Sequence, residues 1–596
     1  MSDEMTRAGA APRRSMCDVL VIGSGAAGLA AAVTAAHYGL RVIVAEKAPV
    51  FGGTTAWSGG WLWIPRNPLA RAAGIDEPCD GPRAYLRSEL GDRASDPRLA
   101  VFLENGPEMV QFFHSNSAVR WIDGNRIPDF HDTPGAAKGG RSVSVAPYDG
   151  RGLGTWIRKL RPPLDVVSLW GMGIASGPDM AHFFGATRRP ASAFHVAGRL
   201  GRHLRDLIVH RRGMHLVNGN ALVARLMRSA LDLGVEMIDS APASRLLLAD
   251  GRVTGAMLEG RAGPVEVHAA RGVVLATGGF AHDPARLDAL AAAAGGGQGH
   301  FSAAPRENAG DGLRMAEAAG AQVDGNLLWN VALAPVSRVP DGDGGYTNFP
   351  HLIERAKPGI IAVTPDGQRF VSEADSYHDF AQAMIAATPA GAAPRCWLIA
   401  DHRAQRRWGL GWSRPFPFPT GPAIRAGYLR TGRTLADLAR ACGIPAARLI
   451  RTVDDFNRHA AEGRDPAFHR GESTYNRVQG DPDHRPNPSL GPLDKGPFYA
   501  VGIVPGSLGT FGGLPTDGRA RVLDGAGNPI AGLYAVGNDM ASVMGGHYPA
   551  GGITLGPGMT FGYIAGRSLA GLPVTGLDPA SSVHAADEPA TQETAQ

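Results

Sequence analysis

Gly23, Gly25 and Gly28 fall as G-x-G-x-x-G in CDVLVIGSGAAGLAAA, between a short strand pattern, Val19 to Ile22, and an Ala-rich helical pattern, Leu29 to Tyr38. The first glycine permits a tight turn. The second lets a pyrophosphate approach the backbone, and the third lets helix and strand pack closely. The helix start, at Ala26 and Ala27, then turns unpaired N–H groups and a positive dipole end toward phosphates. Glu46 ends the next strand pattern, Leu40 to Ala45, with Lys47 beside it. A carboxylate there accepts both hydroxyls of a ribose. This combination reads as a dinucleotide site.

Later residues make the dinucleotide FAD rather than NAD. The run GGTTAWSGGWLWIP contributes Gly53, Thr54, Thr55, Ser58, Gly59 and Gly60, small or hydroxylated groups that can pack around pyrophosphate and flavin. Ala276, Thr277 and Gly278 end a strand pattern in VVLATGGF. Near the C-terminus, LYAVGND places Gly537, Asn538 and Asp539 directly after another strand, where polar groups can meet a ribityl chain. Gly552, Ile553 and Leu555 follow in GGITLGPG. An NAD enzyme has no need of this distant second element.

At 596 residues the chain needs more than one core. Strand-like and helix-like patches alternate, which predicts an α/β, Rossmann-like FAD-binding domain. An inserted α+β substrate cap is expected to interrupt it. The expected division is 15–338 for the first FAD part, 339–507 for the cap and 508–575 for the second FAD part. VTGAMLEG and PVEVHAARGVVLATGGF read as paired strands, and GIIAVTPDGQRF as a hairpin turning at Asp366-Gly367. LADLARACG and RLIRTVDDFNRHA read as helices, and GDPDHRPNPSLGPLDKGP as a loop. The first sixteen residues and a tail over 576–596 are expected to be disordered.

A net charge of +4 argues against a general nucleic-acid binder. Cys17, Cys79, Cys396 and Cys442 form no C-x-x-C pair and read as free thiols of a reducing, cytoplasmic compartment. No metal-ligand spacing is present. No uncharged apolar run reaches membrane-spanning length. The single dinucleotide motif suggests that electrons leave through a quinone or another acceptor.

The segments GGTTAWSGGWLWIP, PDFHDTPGAAKGGRSV, PDGQRFVSEADSYHDF and GGHYPAGGITLGPGMTFGY carry a resemblance, spanning about Asp18 to Leu572. The chain resembles the fumarate reductase and succinate dehydrogenase flavoproteins, and among them the 3-ketosteroid Δ1-dehydrogenases. The fumarate-reducing branch has an H-G-x-N-R pattern where this chain has His547, Tyr548 and Pro549. The resemblance implies desaturation of a carbon–carbon bond next to the ketone of a small apolar, steroid-like substrate. By motif, the Tyr548 hydroxyl and the Gly552 N–H would polarise the carbonyl, and Tyr377 would remove a proton. Hydride would pass to flavin N5. The family has members with FAD attached through a histidine; TTAWSGG holds none, which implies noncovalent FAD. Relatives are expected to carry a base-assisting tyrosine near Phe130. Phe130 cannot relay a proton, which leaves His131 or Tyr346 as substitutes. Arg369 and Glu373 are expected to pin the hairpin or to border the substrate. A flavin ene-reductase and a flavin-binding relative without turnover are the competing readings.

Arg151 to His215 holds eleven lysines and arginines against three aspartates, interleaved with Trp156, Trp170, Phe183, Phe184 and Phe194. Two readings stand open. One is peripheral contact with the inner face of a membrane. The other is a helical hairpin packed on the cofactor domain or against another copy.

Overall fold

The structure is a computed structural model that describes residues 13–577 apart from position 343. The tail beyond 577 and the first twelve residues lie outside the described residues. Arg13 to Met16, read from sequence as part of the leader, instead extend the first strand, Arg13–Ile22, by pairing with Val265 to His268.

The apolar run VLVI forms a strand buried on both faces, as central parallel strands are. It lies between Val42–Ala45 and Gly263–Leu275, and the parallel order continues to Glu236–Ile238 on one side and Pro529–Ala535 on the other. The paired strands expected from VTGAMLEG onward form as Arg252–Gly260 against Gly263–Leu275. The helix Ala26–His37 follows the glycine turn and packs on the last helix, Leu555–Leu569. Small residues make that approach close. A Cβ on Gly562 would lie 2.4 Å from the Ala27 carbonyl, and one on Gly566 2.6 Å from Thr34 Cβ. The packing ties the late part of the chain to the dinucleotide turn.

A second sheet is built on the strand Phe498–Thr510, which pairs with Val331–Pro340, Cys396–Ala400 and Leu429–Gly432. Alternate residues face opposite layers, as a period of two requires. Ile360 and Ala362 join Phe380 and Met384, whereas Ile361 and Val363 join Leu449, Val453 and Phe456. The strands Val331–Pro340 and Phe498–Thr510 run straight through the expected boundaries after 338 and 507. The two units are thus joined by a continuous strand pair rather than by linkers.

The expected hairpin at Asp366-Gly367 forms only in part. Gly367 takes φ +86° and the turn closes from Thr364 to Gln368, but the return arm does not become a strand. Ile360–Val363 pairs instead with Cys396–Ala400. Arg369 is drawn away by Glu373 and Asp465, at 2.8 Å each, and Glu373 also binds the fully buried Arg470. Burial alone would raise the Glu373 pKa, but the two guanidiniums hold it down at about 2. Neither Arg369 nor Glu373 lines the large cavity described below, so their work is structural.

The basic segment folds as a helical turn, Gly150–Lys159, and two helices, Pro178–Gly185 and Pro190–His210. Part of its charge is paired: Arg199 meets Asp179 and Arg151 meets Asp206 within the segment, and Lys159 meets Asp239 outside it. Among the described residues no helix is long and apolar enough to cross a membrane. The four cysteines are free.

Candidate active site

One cavity of about 1280 Å³ joins the glycine turn to the late tyrosine loop. At its dinucleotide end the wall is made by Gly23, Gly25, Ala26 and Ala27, then Glu46 and Lys47. Gly53, Thr54, Thr55, Ser58, Gly59 and Gly60 continue it. Gly23 takes φ +108°, and a Cβ there would lie 2.1 Å from the Ala276 carbonyl, so the turn itself demands glycine. Gly25 differs. Its backbone is ordinary, φ −66° and ψ 175°, and an added Cβ would meet nothing nearer than Thr55 Oγ1 at 3.7 Å. The protein gives no reason for glycine there; a ligand lying against the backbone does.

The N–H groups of Gly25, Ala27 and Gly28 have no acceptor among the described residues, while Ala26 N donates to Thr55 Oγ1 at 3.0 Å. Unpaired donors at a helix start are what a pyrophosphate needs. Glu46 is buried, its carboxylate held by Ser24 and by the Ala48 N–H, and burial pushes its pKa up. Lys47 ion-pairs with Asp311 at 2.6 Å along the rim. These residues fit an FAD.

Ala276, Thr277, Gly278, Gly537, Asn538, Gly552 and Leu555 also line the cavity. Asn538 has no side-chain partner among the described residues and is free for a ribityl hydroxyl. Three expected contacts lie behind the wall instead. Gly28 allows close packing: its Cβ would meet the Gly23 carbonyl at 2.3 Å. Asp539 is fully buried and accepts from Thr277 N at 2.5 Å and Gly279 N at 2.9 Å, which clamps the late GND turn to the stretch that follows the strand Gly263–Leu275. Ile553 is core, and its neighbour Thr554 faces the cavity. Sequence reasoning missed Asn308, which lines the cavity and donates to Thr54 Oγ1 at 2.8 Å.

At the other end Tyr377 and Tyr548 meet edge to face, ring centres 5.0 Å apart, and both are buried. Tyr377 is the first residue of the helix Tyr377–Ala386, whose cap Ser376 accepts from Asp379 N. Tyr548 sits in a loop anchored by the Pro549 carbonyl, which accepts from Tyr85 Oη at 2.6 Å and Phe130 N at 2.9 Å. Gly552 takes φ +101° against the Trp61 to Trp63 backbone, and its own N–H has no acceptor among the described residues. Tyr377, Tyr548 and Gly552 line one cavity with the glycine turn.

Burial pushes the Tyr377 phenol well above its usual range, and the facing Tyr548 adds to this; Arg355 opposes it. His378 packs 5.5 Å behind Tyr548, and burial pushes it down to about 4, so it is neutral and contributes no charge.

Neither expected substitute for the missing tyrosine occupies its place. His131 does not line the cavity. Its Nδ1 meets Glu89 at 2.6 Å and its Nε2 meets Asp379 at 2.8 Å. Burial opposes its charge, but the two carboxylates win and push it up to about 10. It is a doubly paired imidazolium that braces the first turn of the Tyr377 helix. Tyr346 is exposed and stacked under Arg338, 3.9 Å from its guanidinium carbon, away from the cavity. Among the described residues no group of three or more His, Cys, Asp or Glu is placed to hold a metal ion.

Comparison with known proteins agrees with this geometry. Residues 18–555 match the family described as FAD binding domain. A 4-oxocyclohex-2-ene-1-carboxylate 5-dehydrogenase of Sinomonas cyclohexanicum is 41% identical over 93% of this chain and 94% of its own length. A 3-oxosteroid 1-dehydrogenase of Mycolicibacterium smegmatis is 36% identical over 93% and 97%. The crystal structure of 3-ketosteroid Δ1-dehydrogenase from Sterolibacterium denitrificans, in complex with 1,4-androstadiene-3,17-dione, superposes with a TM-score of 0.84 at 34% identity, covering 93% of this chain and 99% of that one. The chain belongs to the FAD binding domain family, as a 3-oxosteroid 1-dehydrogenase-like flavoprotein oxidoreductase acting on CH–CH groups.

Proposed function

We propose that this FAD-dependent dehydrogenase desaturates the bond next to the carbonyl of a six-membered ring ketone, and that the ketone is the 3-oxo ring of a steroid-like substrate. The observation that carries this reading is that Tyr548, the Gly552 N–H and Tyr377 share a cavity with the dinucleotide groove. A carbonyl oxygen received by the Tyr548 hydroxyl and the Gly552 N–H gains two donors for charge that develops in the transition state. The adjacent C–H then lies toward Tyr377, the base. Bound FAD supplies the hydride acceptor, N5, for the next carbon. The cavity lining contains neither histidine nor cysteine, which favours noncovalent attachment. Electrons then pass to a quinone or another acceptor.

The apolar wall beyond the tyrosines, with Leu352, Met180, Phe184 and Trp408, suits a large hydrophobic ring system. A smaller substrate, an oxocyclohexane carboxylate, is the second reading. The 41% identical relative favours it, and so does a cavity cation, Lys357. Lys357 is buried, donates to the Gln479 and Gly480 carbonyls at 2.6 and 2.8 Å, and is pushed down by burial to about 8.

A panel of 4-androstene-3,17-dione and 4-oxocyclohex-2-ene-1-carboxylate, with an artificial acceptor, separates the two. Bleaching of the acceptor dye by the steroid and not by the acid is expected. The Tyr377→Phe variant should lower kcat by about 10²- to 10⁴-fold. Bleaching by neither ketone would sink the dehydrogenase reading, and reoxidation of reduced enzyme by fumarate alone would favour an ene-reductase.

The insert presents Phe194, Leu204, Ile208 and Val209 on the helix Pro190–His210, with exposures of 80%, 52%, 79% and 65%. Arg202, Arg205 and Arg211 flank this apolar surface. We assign it to peripheral contact with an anionic bilayer, through which an apolar ketone would reach the cavity wall formed by Met180 and Phe184. Sedimentation with phosphatidylglycerol vesicles is expected, and Ile208→Glu should release the protein. Equal recovery of both proteins in the supernatant would refute the assignment.

A further inference from the structure

The loop that carries Phe130 reaches several elements in three successive residues. Phe130 N donates to the Pro549 carbonyl at 2.9 Å, in the loop of Tyr548. His131 meets Glu89 at 2.6 Å and Asp379 at 2.8 Å. Asp132 accepts from Thr474 N at 2.8 Å, at the start of the short helix Thr474–Gln479.

The helix Asp80–Leu90 holds both sides of the tyrosine pair. Its Tyr85 and Glu89 are four residues apart and so share one helix face. Tyr85 Oη donates to the same Pro549 carbonyl at 2.6 Å, across 464 residues of chain. Glu89 is held at both oxygens: Oε1 accepts from Thr133 Oγ1 at 2.6 Å, and Oε2 meets His131. On the far side of His131, Asp379 Oδ2 also accepts from Ser376 Oγ at 2.7 Å, and Ser376 immediately precedes Tyr377. One helix face thus fixes the Tyr548 loop through Tyr85, and the start of the Tyr377 helix through Glu89 and His131.

The second of these links depends on charge. Without the imidazolium, Glu89 and Asp379 would confront each other as two carboxylates and repel. The other titratable groups around His131 are Tyr85 on the first helix, His378 on the second and His547 in the late loop. Burial pushes Tyr85 up and both histidines down, so between pH 7 and the alkaline range all three are neutral and the two carboxylates decide the charge of His131. A neutral imidazole has a single N–H and can donate to only one of them.

We propose that His131 is the positioning residue that sets the distance between the carbonyl-polarising Tyr548 and the base Tyr377, by tying the base helix to the same helix that holds the Tyr548 loop. The inference rests on the reading of Tyr377 as the base. His131 touches neither ketone nor flavin, since it does not line the cavity. It acts through the placement of Tyr377. The donor and the base must meet one small ketone together, and a misplacement of about 1 Å can cost roughly a hundredfold in rate.

The test is kcat and KM of the holoenzyme from neutral to strongly alkaline pH, with whichever of the two ketones it turns over. The parent kcat should fall as pH rises through about 10, where His131 loses its proton. Glu89→Gln should move that limb down by about one pH unit or more, because one of the two carboxylates that hold the proton is gone. His131→Gln has no proton to lose. It should lower kcat about 10- to 100-fold at neutral pH, with KM and flavin content little changed, and its profile should lack the limb. A parent-like kcat in His131→Gln overturns the proposal, as does a raised KM with kcat intact, or a limb that Glu89→Gln leaves in place. If His131→Gln does not hold FAD, the limb in Glu89→Gln alone decides. Tyr377→Phe, measured alongside, separates the two ideas. Parent turnover there removes the base itself, whereas a dead Tyr377→Phe beside a parent-like His131→Gln removes only the role given to His131. Turnover of neither ketone by the parent removes both.

Discussion

Tyr548→Phe is expected to lower kcat by about 10²- to 10³-fold, the usual cost of deleting one donor to a developing oxyanion. The fold should survive, because phenylalanine keeps the ring that packs 5.0 Å from Tyr377 and 5.8 Å from Phe130. Bound flavin should keep its absorbance, since the FAD contacts at the glycine turn are elsewhere in the cavity. Burial pushes the Tyr548 phenol up, which keeps it protonated and a donor across the working pH range. Steady-state turnover by a yellow, folded Tyr548→Phe enzyme at the parent rate would remove the carbonyl-polarising assignment.

Gly25→Val should yield a folded protein without flavin. The valine Cβ meets no protein atom closer than 3.7 Å, and φ −66° suits it, so the chain loses nothing by accepting it. Its methyl groups, however, would fill the space before the unpaired N–H groups of Gly25, Ala27 and Gly28. Circular dichroism should match the parent, while the melting temperature should no longer rise on adding FAD, because ligand-linked stabilisation disappears with binding. Gly23→Ala is the contrast: its Cβ would lie 2.1 Å from a carbonyl oxygen, so the turn itself should fail. Acid precipitation of the parent should leave yellow FAD in the supernatant, as noncovalent attachment requires. A Gly25→Val preparation with stoichiometric flavin would show that the pyrophosphate lies elsewhere.

The glycine turn was legible because each of its residues answers to a local constraint. Gly23 needs positive φ, Gly28 needs a bare Cα, and both demands are met within a few residues of chain. The same holds for the strands and helices around it, whose periodicity is a property of consecutive positions. Asp539 and Ile553 were misplaced for the opposite reason. Their neighbours along the chain do line the cavity, and only the packing decides that these two point behind it. The return arm of the hairpin at Gly367 failed likewise, since Glu373 and Asp465 compete for Arg369 from 4 and 96 residues away.

Taken alone, then, the residues along the chain determined the cofactor and the class of fold, because phosphate cradling and strand–helix alternation are written in short-range spacing. They also pointed, through motif, to Tyr377 and Tyr548, which line one cavity with the glycine turn. The tertiary structure decided what surrounds those two phenols. It paired His131 with Glu89 and Asp379, left Tyr346 on the surface, and brought Tyr475 against Phe130. Burial and long-range electrostatics depend on which distant segments meet, and no local pattern encodes that.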